Sequence, residues 1–482
     1  MSSTRGKLTV FTLTMMTVAA VISLRGLPMM AKEGLSMIFY ILFATILFLL
    51  PASLVAAELG GAFSEKQGGV YTWVKAAFGS RWGFLAIWLQ WIQNVFWYPT
   101  VLAFAAGSIA YIFDTPKLAS SGLYTGILII VTIWLATFLT LRGTQTIGAI
   151  TKYGALLGTV IPGIFIIGLG IVWVLQGNPW ALTEAISKGG EITHVHPTFF
   201  PHITGLSSVA FLAGIILLFA GVEVQAVLSS ELPNPAKDFP KAIFLAMIII
   251  FLLFLLGSLA VAMVIPASEI SLTSGLMEAF RALLRKFELD FLTPVFGLLT
   301  AFGAIGGVMS WISGPSRGLL STAKDGELPP FLAKTNANGI QTNLLFVQAL
   351  IVTGLAGLYL VMTNVSVAFF MLSAMTVTLY LVMYILMYAA AIKLRYSQPD
   401  LPRSYRVPGG KPGMWIIAGL GIIGVSFALV VAFFPPSNLP VGKPALYVIL
   451  VTLGLVIFGG LPLLIHQLKK PSWQSADDDD KN

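Results

Sequence analysis

Ser23-Leu24-Arg25-Gly26-Leu27-Pro28 lies in the middle of one long apolar run, and Phe219-Ala220-Gly221-Val222-Glu223 lies in another. Each stretch puts a charge where a lipid-embedded helix tolerates it least. An arginine at mid-span costs about 2.5–3.5 kcal/mol on insertion scales. Each stretch also weakens the helix at the same point, through Gly26 and Pro28 in the first and Gly221 in the second. Either one alone reads equally well as a kinked helix with a snorkelling or paired charge. Together they predict two interrupted spans.

The surrounding chain supports a membrane setting. Of its 482 residues 57% are hydrophobic and only 10% charged, against about 25% charged in soluble domains. Mean hydropathy is +0.89. There are too few charges to coat a soluble multidomain enzyme, and too many apolar groups for a disordered chain. Apolar segments fall at 8–31, 36–59, 82–112, 121–141, 152–176, 205–230, 239–265, 289–322, 341–363, 365–392, 414–435 and 444–467. Each is near the ~20 residues a helix needs to cross hydrocarbon, and too long for barrel strands of about 10 residues. The predicted fold is all-α and integral to the membrane, with about 12 transmembrane helices. The first segment is too long, and too polar at its middle, for a cleavable signal peptide.

Basic residues set the orientation. Of 28 lysines and arginines, seven (Lys32, Lys117, Lys188, Arg281, Arg285, Lys286, Lys443) fall opposite the N-terminus, one is Arg25, and the other 20 share the N-terminal side. The positive-inside rule then places both termini in the cytoplasm, with the protein in a bacterial inner membrane. A single transport domain over 1–470 is expected, with helices 1–5 across 8–176, helices 6–10 across 205–392 and helices 11–12 across 414–467. A short cytoplasmic tail follows at 471–482, with no appended soluble domain. Its Asp477-Asp478-Asp479-Asp480-Lys481 resembles an enteropeptidase site, native or left by an expression vector, and carries no weight in the fold.

Several function classes drop out. The chain has no cysteine and four histidines, so no metal site or cofactor is expected. His194, His196 and His202 share the loop 177–204, which reads as solvated surface, with proton sensing as the minor alternative. The net charge of +8 sits in short loops and does not call for nucleic acid. No Gly-Lys-Ser/Thr phosphate loop is present to drive primary transport. A channel would need a continuous polar pore rather than isolated charges at helix breaks.

The two interrupted spans are the first and the sixth. Discontinuous helices at matching places in two halves point to an inverted-repeat transporter with its site at the breaks. A break exposes N–H groups that attract a carboxylate and carbonyls that accept from an ammonium. An α-amino acid carries both.

Further motifs resemble a known family. Gly221-Val222-Glu223, Glu231, Asn234-Pro235, Asp238 and Pro240-Lys241-Ala242-Ile243 resemble the sixth-helix signature of the amino acid–polyamine–organocation superfamily. Pro51-Ala52-Ser53-Leu54, Ala57-Glu58-Leu59 and Gly68-Gly69-Val70-Tyr71-Thr72-Trp73-Val74 look like its second helix and following loop. Gly314-Pro315-Ser316-Arg317-Gly318, Asp325-Gly326, Leu328-Pro329 and Asn338-Gly339 are similar to its eighth helix and loop. Within the superfamily the chain resembles the bacterial glutamate/γ-aminobutyrate antiporter branch along nearly its whole length.

The resemblance implies a five-plus-five inverted repeat (the LeuT-like fold) with two peripheral helices. It implies a mid-membrane site between helices 1, 3, 6, 8 and 10. The first break maps to Val21–Leu27 and so to Ser23, Leu24, Arg25 and Gly26; the second maps to Ala220, Gly221 and Glu223. Trp311 keeps its place in helix 8, and Tyr380 and Tyr384 keep the helix-10 tyrosine pair. Two positions depart: Arg25 replaces an aromatic residue and Gly307 an acidic one, which favours a substrate with an extra carboxylate. A long C-terminal segment able to plug the cytoplasmic mouth looks absent.

The carboxylates divide. Glu58 and Glu231 sit near helix ends and are expected to pair with basic neighbours such as Lys237 or Arg317. Glu223 lies inside a span, where a carboxylate marks a substrate or proton path. For Arg25 three roles stand: docking a substrate carboxylate, pairing with Glu223, or capping freed backbone carbonyls. The expected function is secondary amino acid transport, by exchange or by proton-coupled symport, with no bond made or broken and hence no enzyme. Orientation is directly testable, because the chain has no cysteine. Cysteines introduced at 143–151 and 400–411 are expected to react with impermeant reagents only from the cytoplasm, and at 189–197 only from outside. Labelling of position 194 from the cytoplasm alone would overturn the twelve-span order.

Overall fold

The computed structural model describes residues 9–63, 69–182, 184–188, 191–195, 198–226, 232–362, 364–436 and 444–473. Eleven helices among them are long and apolar enough to span a membrane, and a pair bent by 48° at Val10–Ala19 and Leu24–Ala31 makes twelve. The first span is Val10–Val21 followed by Leu27–Ala31, and the sixth is Phe211–Leu218 followed by Val222–Ala226. Spans 3, 8 and 10 are the long ones: Ser80–Ile112, Thr293–Lys324 and Val365–Ser397. Local sequence starts them where it should. Thr9, Ser121 and Asn364 each accept an N–H of the first turn at the heads of spans 1, 4 (Gly122–Leu141) and 10.

The repeat is visible in the packing. Span 1 packs on span 7 (Pro235–Val264), and the inner half of span 6 packs on span 2 (Met37–Ala62). Span 3 packs on span 10, and span 8 on span 5 (Thr144–Leu175). Spans 3 and 8 pack on each other, as do spans 4 and 9 (Thr342–Ala356). Adding or subtracting five turns every contact in this set into another member of it, which is the five-plus-five relation. Spans 11 (Gly410–Val431) and 12 (Pro444–Gln467) lie against spans 2, 3 and 10. Small residues set the tightest seam: a Cβ built on Gly158 of span 5 would stand 2.3 Å from the Gly303 Cα of span 8. Membrane helices approach this closely only where both sides lack side chains.

Three elements were not expected from the sequence. Val70–Phe78 and Gly275–Lys286 form short helices outside the spans. In the second, Leu276, Met277, Phe280, Leu283 and Leu284 are buried at helical spacing. Its basic residues made it read as a plain loop. Within the loop 177–204, Glu184–Lys188 pairs antiparallel with Glu191–Val195, adding a hairpin to an otherwise helical protein. His194 falls on that hairpin, His202 is exposed, and His196 lies outside the described residues. The Asp477–Lys481 tail and Glu231 also lie outside them.

Charge clusters tie the rims. Glu58 does not meet Lys237 or Arg317. Its carboxylate accepts from Arg395 Nε at 2.6 Å and Nη2 at 2.5 Å, and from the Val407 amide at 2.7 Å, with Arg403 Nε at 3.0 Å. At the next rim position Glu327 accepts from Lys469 at 2.9 Å and Ser80 at 2.5 Å and faces His466 Nδ1 at 2.7 Å. Burial pushes the Glu327 carboxyl up, but these partners outweigh it and hold it below its usual value. On the opposite face the Lys32 ammonium bonds the Ala267 carbonyl at 3.1 Å. Burial lowers that lysine to about 8, against the opposing pull of Glu33 and Glu278. The Glu58 cluster carries the sharpest stability expectation. Glu58→Gln leaves two buried guanidinium groups without their counter-charge, a loss of roughly 3–5 kcal/mol. A thermal midpoint of the purified variant equal to wild type would contradict it.

Candidate functional site

Both breaks open on one cavity of about 320 Å³. At the first, Ile22 and Ser23 leave the helix and Leu24–Gly26 makes a single 3-10 turn before the chain resumes. At the second, Phe219 to Gly221 are non-helical and Gly221 takes φ +116°, which only glycine adopts freely. The breaks abut: a Cβ on Gly26 would stand 2.5 Å from Leu218 Cδ1. Ser23, Leu24, Arg25, Ala220, Trp311 and Tyr380 line the cavity, while Gly26, Gly221, Glu223 and Tyr384 stand behind its wall. Met16, Thr151, Ala155, Ser310 and Gly314 extend the lining into the half of the membrane nearer the N-terminus. Gly307 is among the lining residues, with nothing within 4 Å of an added Cβ.

Glu223 is fully enclosed. The Tyr380 and Tyr384 hydroxyls donate to its two oxygens, and Gln90 Nε2 adds a bond of 3.1 Å. Tyr384 also accepts from the Gly221 amide at 3.1 Å, so one phenol satisfies a backbone group freed by the break and holds the carboxylate two residues on. Spacing of four residues puts both phenols on one face of span 10, their ring centroids 5.0 Å apart.

Arg25 is 2% exposed and faces the cavity. Its guanidinium lies over the Trp97 ring at 5.4 Å and the Phe369 ring at 5.8 Å. Trp97 in turn meets Trp311 edge-on at 6.0 Å. Arg25 makes no hydrogen bond among the described residues, and its Nε is buried without a partner. Two of the three roles read from the sequence therefore fail here. Arg25 does not pair with Glu223, whose oxygens are taken by Gln90 and the tyrosines, and it does not cap freed carbonyls. Glu223 turns toward Tyr380 and Tyr384 of span 10, while Arg25 lies by Phe369, nearer the start of that span, and faces the cavity.

Sequence reasoning missed Gln90, Trp97 and Phe369. A signal for the first existed: Gln90, Gln93 and Asn94 fall at helical spacing on one face of an apolar span. Gln93 and Asn94 line the cavity. Nothing local marks Trp97 or Phe369, since aromatic residues are ordinary in such helices.

A bundle of twelve helices whose first and sixth are broken at a common cavity defines a secondary transporter of the five-plus-five inverted-repeat class. The chain belongs to the amino acid permease family, whose sequence profile matches residues 8–456. It transports amino acids and is not an enzyme. It is 38% identical over 464 residues to an uncharacterized transporter of Legionella pneumophila, covering 96% of this chain and 97% of that one. It is 33% identical over 466 residues to a glutamate/γ-aminobutyrate antiporter of Lactococcus lactis, covering 96% and 90%. Similarity at 25% identity over 463 residues extends to a probable agmatine/putrescine antiporter of the same species, covering 95% and 94%.

The tyrosine cluster yields a graded expectation. Tyr380→Ala removes a cavity wall as well as a donor, so it raises the apparent Michaelis constant more than Tyr380→Phe does. Tyr384→Phe strips an acceptor from Gly221 and a donor from Glu223, and a bond to a charged group is worth about 1.5–3 kcal/mol. At least a tenfold fall in transport is expected there and for Glu223→Gln, in uptake normalised to folded protein. Wild-type uptake by all four variants would remove span 10 from the site.

Proposed function

We propose that the protein exchanges amino acids by alternating access across a bacterial cytoplasmic membrane, with both termini cytoplasmic. Glutamate and γ-aminobutyrate are the substrates to which the Lactococcus relative's name points. The observation that carries the reading is the Arg25 guanidinium, a buried cation facing the cavity with no hydrogen-bonded partner among the described residues. A substrate side-chain carboxylate supplies what it lacks, as a planar fork of donors matched to two oxygens. The α-amino and α-carboxylate groups then fall to the breaks at Ser23–Gly26 and Ala220–Gly221. Trp311 and Tyr380 wall the far side. The open space at Gly307 leaves room for the acidic chain, and no carboxylate there repels it.

Proton-coupled symport is the second reading, and Glu223 favours it. A carboxylate held by two phenols and an amide inside the bundle is placed to take up a proton when the cavity changes sides. The two readings separate in proteoliposomes. Exchange predicts that glutamate uptake is accelerated at least several-fold by preloaded γ-aminobutyrate or glutamate, without need of a pH gradient. Uptake that follows an imposed proton gradient and ignores the internal amino acid would favour symport instead. Arg25→Lys keeps the charge and loses the fork, so it is expected to weaken acidic substrates selectively and spare neutral ones. If Arg25→Lys and Arg25→Gln both leave substrate preference unaltered, Arg25 does not read the substrate.

A further inference from the structure

The cavity cation is held in an unusual way. Every other buried arginine or lysine with an assigned contact named above is held by hydrogen bonds: Arg395 and Arg403 grip Glu58, and Lys32 grips the Ala267 carbonyl. Arg25 has no hydrogen bond among the described residues and instead meets two rings, Trp97 from span 3 and Phe369 from span 10. A ring attracts a guanidinium through its π face and takes up none of the N–H groups, which lie in the guanidinium plane. Aromatic contacts therefore fix the position of the cation while leaving its edge donors unspent. Arg25 lines the cavity and makes no hydrogen bond among the described residues, so its N–H groups are not spent on a protein acceptor there.

We propose that Trp97 and Phe369 are positioning residues for substrate selection. They hold the Arg25 guanidinium at the cavity wall through ring contacts, which leave its N–H groups untaken by a protein acceptor. This rests on the reading that Arg25 docks a substrate carboxylate. A hydrogen-bonding partner in place of the rings would fix the cation equally well, but it would occupy the donors that discriminate an acid from its amide. Trp97 is itself braced by the cavity-lining Trp311 at 6.0 Å, so the ring that carries the cation is tied to the wall that meets the substrate.

The test compares glutamate with glutamine, which differ at the side-chain terminus. Michaelis constants are measured in proteoliposomes for wild type, Trp97→Leu, Trp97→Phe, Phe369→Leu and Arg25→Lys. Ligand-induced thermal stabilisation of the purified protein supplies the same comparison where transport of one substrate is slow. Trp97→Leu and Phe369→Leu are expected to raise the glutamate-to-glutamine ratio of constants about tenfold, and Trp97→Phe, which keeps a π face, to restore most of the wild-type ratio. A ratio taken within one variant does not depend on how much of it folds. If the leucine variants lower the maximal rate for both substrates and leave the ratio at its wild-type value, the rings are packing only and the proposal fails. A shifted ratio in Arg25→Lys beside unshifted ratios in the ring variants overturns this inference alone. An unshifted ratio in all of them, Arg25→Lys included, overturns the docking role as well.

Discussion

Inside hydrocarbon every backbone N–H and C=O needs a partner within the protein, and the interrupted spans exist only because that need is met. The Tyr384 hydroxyl meets it at the sixth span. It accepts the Gly221 amide at the break and donates to Glu223 beyond it. Glu223 in turn collects Tyr380 and Gln90, so spans 3, 6 and 10 converge on one carboxylate. The cavity lies immediately in front of this unit, with Tyr380 common to both. A change at the break is thus felt by the carboxylate, and a change in its charge is felt by the break.

The sequence discloses the architecture more fully than the site. Twelve apolar segments, two of them flawed, were enough for the span count, the break positions and the five-helix offset between halves, because hydropathy and helix-weakening residues are local properties. Ser23, Leu24, Arg25, Ala220, Trp311 and Tyr380 prove to share one cavity. The partners of the charges were not readable. Glu58 lies 337 residues from Arg395 in the chain, and no local spacing links them. Of the three roles expected for Arg25, two needed a partner within the protein, Glu223 or freed carbonyls, and the side chain instead meets two rings from distant spans. Gly275–Lys286 escaped notice because its helical period is masked by a low overall apolar content, as is usual for a helix that lies outside the hydrocarbon.

Selectivity in such a cavity follows from what is left unsatisfied. A guanidinium over an aromatic face gains about 2 kcal/mol or more when desolvated, and it can add hydrogen bonds to a carboxylate worth about 1.5–3 kcal/mol each. Under the proposed docking role, an anionic group supplies the hydrogen-bonding partner that Arg25 lacks among the described residues. Glu223 itself stays out of the lining behind Tyr380, whose hydroxyl it accepts, and so does not take up the Arg25 donors.

Span 8 carries glycines with opposite uses one turn apart. Gly303 is pressed against the backbone of Gly158, with added Cβ atoms 2.3–2.6 Å from the opposing main chain, whereas Gly307 faces open space. Where the backbones touch there are no rotamers to freeze, so this seam gains dispersion contacts on assembly without the side-chain entropy loss that a leucine seam incurs. Its strength therefore carries no side-chain entropy penalty that grows with temperature. Spans 5 and 8 thus meet backbone to backbone at Gly158 and Gly303, while Gly307, one turn on, leaves open space in the cavity lining.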